Sequence, residues 1–448
     1  MRHRDATIDG VAYALALLIA LFTLPAAYGQ QPKFKVLYTF CSASNCTDGK
    51  TPYAGLTRDG DGNLYGTTVF GGAYGEGTIF KVDTTERSFF ATETRFRVDA
   101  CHETVLYSFG QNSADGAEPC AHLIRDAEGN MYGTTDDDGP NKAGTVFRID
   151  STGREALLYS FCSPGICATT GGEYPTGGLI SDGAGNLFGV ARYGGIYGAG
   201  TVFKLDNARH MTVLYSFCED QDCADGGVPQ ASLIEDAEGN LYGTTTLGGA
   251  NQAGTVFKVD PTGRETVLYS FCAFTDCPDG SYPYGGLIQD ASGNLYGTTT
   301  YGGAHQKGTV FKLDSTGRET VLFSFAGGDG ANPVADLIQD ASGNLYGTTY
   351  YGGRSNGGAV FKLDSAGNET VLHSFCALHN CADGLFPYAG VIQDAAGNLY
   401  GTTSSGGAGA GTVFMLSGAT TSPPRRPLIP PSAEPPCADC AQFPSAKN

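Results

Sequence analysis

Residues 284–325 read "YGGLIQDASGNLYGTTTYGGAHQKGTVFKLDSTGRETVLFSF". Turn residues divide the stretch into four extended segments: "GGLIQD" at 285–290, "NLYGTT" at 294–299, "GTVFKLD" at 308–314 and "ETVLFSF" at 319–325. Each is short, rich in β-branched or aromatic residues and bounded by Gly, Asp, Asn or Ser, which is how antiparallel strands joined by hairpins read. Val310 falls on one side, with Phe311 and Leu313 around it. A sheet that is apolar on both sides must pack between two neighbours.

The core phrase "GN[LM][YF]G" occurs seven times, with its Asn at 63, 130, 186, 240, 294, 344 and 398. A period of this size marks a repeat architecture, which has to be settled before any motif is interpreted. Seven units of four strands predict an all-β fold, a seven-bladed β-propeller of four-stranded blades. The ends support a closed ring. The seventh unit stops after "GTVFMLS" (411–417) and lacks a fourth strand, while "FKVLYTF" (34–40) near the N-terminus is a spare copy of "ETVLYSF". Strand 34–40 is therefore expected to complete the last blade, removing an open edge that would invite aggregation.

Outside the repeats, Arg2 and Arg4 precede the apolar run "VAYALALLIALFTL" (11–24), and small residues follow at Ala26, Ala27 and Gly29. That is the layout of a signal peptide, and the run is shorter than the ~20 residues a spanning helix needs. The expected organisation is a signal peptide at 1–29, a propeller at 30–417, and a Pro-rich, disordered tail at 418–448 containing "CADC". The chain is then secreted, periplasmic or held at the cell surface, with no transmembrane helix after cleavage, and is expected to be a monomer. A net charge of -19, spread thinly, argues against nucleic acid or an anionic membrane as partner.

In an oxidising compartment cysteines pair. Ten of the fourteen fall into C-x4-C spacings, and local disulfides are expected within them: Cys41 with Cys46, Cys162 with Cys167, Cys218 with Cys223, Cys272 with Cys277, and Cys376 with Cys381. Zinc is a rival only at "HSFCALHNC", where His373, Cys376, His379 and Cys381 lie close. Cys101 and Cys120 stand at opposite ends of a strand and pair only if the insertion 84–103 folds over its blade. Cys437 and Cys440 could pair, tether the chain or exchange electrons.

Strand order assigns two faces. One carries hairpin turns that hardly vary, "DASGN" and "DSTGRE" among them. There Asp59, Asp126, Asp182, Asp236, Asp290, Asp340 and Asp394 either build the turns, Asp accepting backbone N–H groups and Gly supplying positive φ, or ring a cation. The other face varies, and loops on a rigid scaffold are the usual carriers of binding residues. Tyr74, Tyr193, Tyr197, Tyr282, Tyr284, Tyr301, Tyr350, Tyr351 and Tyr388 are expected around it. Aromatics beside Asn, Asp and Gln suit a sugar or a protein surface, and ordinary packing between blades would use the same rings. No cofactor is called for. Asp136, Asp137 and Asp138 could offer oxygens to calcium, although an exposed acidic loop explains them as well.

The phrases "GNLYGTT", "YGGAxxxGTVFKLD" and "ETVLYSF" resemble the GloVer-type tandem repeats of bacterial choice-of-anchor extracellular proteins, over residues 34–417. The resemblance implies export and surface association and brings no catalytic residues with it. The "D-x-x-G-N-L-Y" turn is also similar to one in gluconolactonase-like and lyase-like propellers. The functional expectation is a non-catalytic binding, adhesion or scaffold propeller that meets an extracellular protein or glycan through its variable face. The alternative is a secreted lactonase- or lyase-like enzyme, which needs non-equivalent acids and bases converging at the channel mouth. His122 and Glu235 are the candidates for that.

Overall fold

The computed structural model describes residues 32–84, 101–162, 171–407 and 409–419. It is a seven-bladed β-propeller of antiparallel sheets. In blade five the strands, from channel to rim, are Ile288–Gln289, Leu295–Thr299, Thr309–Leu313 and Glu319–Ser324. The innermost strand is shorter than its sequence segment because the residues before it line the channel without pairing. Blade four gains a short extra strand, Gly227–Pro229, beside its second.

Blade seven is made from both ends of the chain. Lys33–Thr39 pairs with Thr412–Ser417, with Lys33 opposite Ser417 and Thr39 opposite Thr412. The expected closing strand is thus present, starting one residue earlier than the sequence segment.

Each interface between blades has its own apolar cluster. Val310 joins Phe325, Leu337 and Phe361 on the side of blade six, whereas Phe311 and Leu313 join Val256, Phe271 and Leu287 on the side of blade four. Phe311 is fully buried, worth roughly 1.5–3 kcal/mol for such a side chain. Its ring lies across Gly297, where an added Cβ would stand 2.8 Å from the ring. The last Gly of "GNLYG" is therefore a packing requirement. Polar contacts cross the same interfaces: Thr298 Oγ1 donates to Ala335 O (3.2 Å), and Thr402 Oγ1 to Ala54 O (3.1 Å), which ties blade seven to blade one.

Four of the expected disulfides are formed, at Cys41–Cys46, Cys218–Cys223, Cys272–Cys277 and Cys376–Cys381. Cys167, the signal-peptide segment, most of the blade-one insertion (85–100) and the tail with Cys437 and Cys440 lie outside the described residues. Among those described, no helix is long and apolar enough to cross a membrane.

Candidate ligand site at the central channel

The seven-fold Asp of the hairpin face is consumed by its own turn. Asp290 Oδ1 accepts the N–H of Ser292 (2.8 Å) and of Asn294 (3.0 Å), while Oδ2 accepts the Asn294 amide (2.8 Å) and the Tyr296 hydroxyl (3.0 Å). Burial works to raise its pKa, but these hydrogen bonds outweigh burial and hold the carboxyl below the usual range. The pattern recurs in other blades, for instance at Asp59 and Asp394. Glu235 belongs to this face, in a groove with Asp236, Lys258 and Asp290. It is separated from His122, which lines the channel.

The channel opens on the loop face as a cavity of about 490 Å³. Two columns of the repeat face it. The outer column holds Tyr53, Cys120, Thr176, Gln230, Tyr284, Val334 and Tyr388, all lining the cavity. The deeper column, just before the buried Leu or Val, reads Gly55, His122, Gly178, Ser232, Gly286, Asp336 and Gly390. Glycine in blades one, three, five and seven leaves room for the three polar side chains between them. A Cβ at Gly178 would fall 2.2 Å from the His122 ring. His122 Nδ1 lies 3.4 Å from Ser232 Oγ, which also accepts the Gly178 N–H at 3.1 Å. Asp336 Oδ1 accepts the Gly286 N–H at 2.5 Å. Burial lowers the His122 pKa and the Asp336 charge opposes that, so the imidazole is neutral at physiological pH.

Around the rim, the Arg192 guanidinium lies 5.0 Å from the centre of the Tyr193 ring. Asp136 is pushed up to about 6 by burial, against the charge of Arg192, which lowers it. Asp136 Oδ1 and Arg192 Nε are buried and have no hydrogen-bond partner. A buried, unmatched donor or acceptor costs ~1–3 kcal/mol, so this pair has spare capacity for a ligand. Tyr53 stacks on Tyr388 at 4.7 Å, and Tyr350 on Phe386 at 5.2 Å. Burial pushes the Cys120 thiol well up, which leaves it a poor nucleophile.

The nine tyrosines expected on the loop face divide. Tyr284 and Tyr388 line the cavity. Tyr282 and Tyr301 form an edge-to-face pair (6.0 Å), Tyr350 and Tyr351 another (4.6 Å), and Tyr193 carries Arg192. Tyr74 and Tyr197 sit away from the channel, the first against Gly110 past the outer strand of blade one, the second in a groove with Val213 and Tyr215 of blade three's outer strand. Asp136, Asp137 and Asp138 do not converge: Asp136 faces the channel, Asp137 Oδ1 accepts the Asp138 N–H (2.7 Å), and Asp138 pairs with Lys142. At "HSFCALHNC" the sulfurs form a disulfide, while His373 Nε2 meets Asp383 Oδ2 at 3.1 Å. Tyr53, Arg192, Ser232 and Asp336 were not singled out by the sequence reading. For Arg192, Ser232 and Asp336 the signal was present in the aligned columns, where blades three, four and six depart from their neighbours.

The model of the Gloeobacter/Verrucomicrobia repeat matches residues 20–235, 84–288 and 219–414. No curated protein matches the chain in sequence. Similar solved structures include a gluconolactonase from Xanthomonas campestris, 15% identical over 65% of this chain and 82% of that one, with a TM-score of 0.39. A puromycin hydrolase is 13% identical over 85% of this chain and 52% of that one (TM-score 0.45). A Mycobacterium tuberculosis puromycin-hydrolyzing peptidase is 13% identical over 83% and 61% (TM-score 0.36).

Proposed function

This chain belongs to the Gloeobacter/Verrucomicrobia repeat family, and we propose that it is an extracellular binding propeller taking a glycan at the rim of its channel. The observation that carries this reading is the unmatched Asp136 Oδ1 and Arg192 Nε set among partly exposed tyrosines. Sugar rings offer apolar faces to aromatic side chains and hydroxyls to a carboxylate and a guanidinium, so both halves of the rim are used at once. A glycan array probed with the full chain tests it. Replacing Tyr284 and Tyr388 together by Ala should weaken the best ligand at least tenfold. Binding should also weaken as pH falls through about 6, where Asp136 takes up a proton. An array without hits, beside capture of a defined cell-surface protein, would transfer the rim to a protein partner. Export by the segment 1–29 goes with this reading, and N-terminal sequencing of secreted protein should begin near Gln30.

A second reading has one observation in its favour, the Ser232–His122 contact over the channel floor. A neutral imidazole can accept the serine proton while Oγ attacks the carbonyl of an ester or lactone; the acyl–oxygen bond breaks, the alcohol oxygen leaves with the proton from the imidazolium, and water activated by the same imidazole then hydrolyses the acyl-serine to the acid. S232G restores the glycine of the other blades and should keep the fold. Equal hydrolysis of a p-nitrophenyl ester by S232G and the parent protein would dismiss this reading.

A further inference from the structure

The loop face holds a second set of carboxylates, and these are not fully hydrogen-bonded as those of the hairpin face are. The loop entering each blade except the third carries an Asp before a Gly, as in "PDGSYP" (278–283). Asp279 is 3% exposed; its Oδ2 accepts the Tyr269 hydroxyl (2.9 Å) and the Ala273 N–H (3.0 Å), while its Oδ1 is buried with no partner. Asp48, Asp115 and Asp225 are equally buried, and each likewise has an unpartnered Oδ1. In five of the blades the Asp charge acts on the Glu that begins the outer strand of the blade being entered. The pairs are Asp48–Glu103, Asp115–Glu155, Asp225–Glu265, Asp279–Glu319 and Asp329–Glu369, and in all five the Glu Oε1 is buried without a partner.

The two interfaces without such a pair explain the other five. Between blades two and three, Gly171 stands where the Asp would be and Met211 where the Glu would be. Between blades six and seven, Asp383 has His373 as partner, and Phe34 takes the Glu position and stacks on that imidazole at 3.8 Å. Glu is thus present only where an Asp faces it without a basic partner. Burial first, and the Asp charge second, push the Glu carboxyls up to about 7, and Glu265 to about 8. A proton or a cation held jointly by the two carboxylates would relieve the repulsion between them.

We propose that each of the four pairs whose Asp keeps a buried, unpartnered oxygen, those of Asp48, Asp115, Asp225 and Asp279, binds a hard divalent cation, calcium foremost. The donors are all oxygens, which suits calcium or magnesium rather than zinc or copper. Two carboxylates neutralise one dication. No three acidic, His or Cys side chains close on one point among the described residues, so the protein supplies two carboxylates per site and water the remaining ligands, as is common for magnesium and for weak extracellular calcium sites. The proposal is independent of what the rim binds.

Full-length protein stripped with EDTA and titrated with calcium by isothermal calorimetry should take up several ions per chain, at most one for each pair, and its thermal midpoint should rise with calcium. E265Q and E319Q combined are isosteric with the parent and should bind two ions fewer. No uptake of calcium or magnesium overturns the proposal, as does a stoichiometry unchanged in the double variant. In the first case the shared positive charge is a proton, visible as a protonated-carboxyl infrared band that the variants lose.

Discussion

Asp290 and Asp279 belong to the same blade and face opposite ways. Asp290, on the hairpin side, has every oxygen engaged by its own turn. Asp279, on the loop side, keeps one oxygen unmatched against Glu319. The same side chain is structural in one place and underused in the other. A repeat protein can thus spend an identical residue on building the scaffold at one end of a blade and hold it in reserve at the other. Which of these a carboxylate does depends on its hydrogen-bond count, and its recurrence in sequence says nothing about it.

The comparison can be broken most severely on the hairpin side. Asp340 is 1% exposed and binds Asn344 and the buried Tyr346. D340A should cost about 3 kcal/mol, since several charge-assisted bonds vanish and a buried hydroxyl is stranded; a urea midpoint shift at constant slope measures it. Next in size is the pin on the loop side. Replacing Cys272 and Cys277 by Ala should cost about 2 kcal/mol, the loop-closure value for so short a ring, read from the same denaturation curve. D279N should be smaller still, within about 1 kcal/mol in cation-free buffer, because the lost charge was repelled by Glu319 and the amide oxygen can still accept from Tyr269.

The two faces should also separate by pH. On the hairpin side Asp290 and Asp394 are held below their unfolded value, so their contribution is present above that value and is lost as pH falls through the folded one. The loop-face Glu groups are held above theirs, so their contribution is complete below about 4.5 and is lost as pH rises through 7 to 8. Thermal melts in EDTA should therefore fall off on both sides, and E265Q should blunt only the alkaline side. A symmetric loss in that variant would show that the two sets are not distinct.

The architecture was legible because each blade repeats the same strand and turn chemistry, down to the spare strand at 34–40. The hairpin Asp ring was legible for the same reason, since Asp followed by Gly and Asn is itself a turn. The channel was not. His122, Ser232 and Asp336 come from three blades, and each looks like an isolated exception to a glycine until the ring sets them at one level. The Asp–Glu pairs were hidden differently. Asp279 and Glu319 lie forty residues apart in the sequence, one in an entering loop and the other at the start of an outer strand, and no local pattern announces that the one charge acts on the other. His373 showed what the sequence could suggest and the fold then redirect: it lies near two cysteines, but those bond to each other and leave it to Asp383 and Phe34.

Blade seven sets the order of events in making this molecule. Lys33 and Ser417, partners in its outer pair, are among the first and last residues of the ring to be synthesised. The early strand has to wait, unpaired, until nearly the whole ring has been made and delivered beside it. Such a long-range closure is slow, and it leaves the Phe34–Phe40 segment exposed for the longest time of any strand. That stretch is therefore the one most open to wrong pairing before the circle shuts.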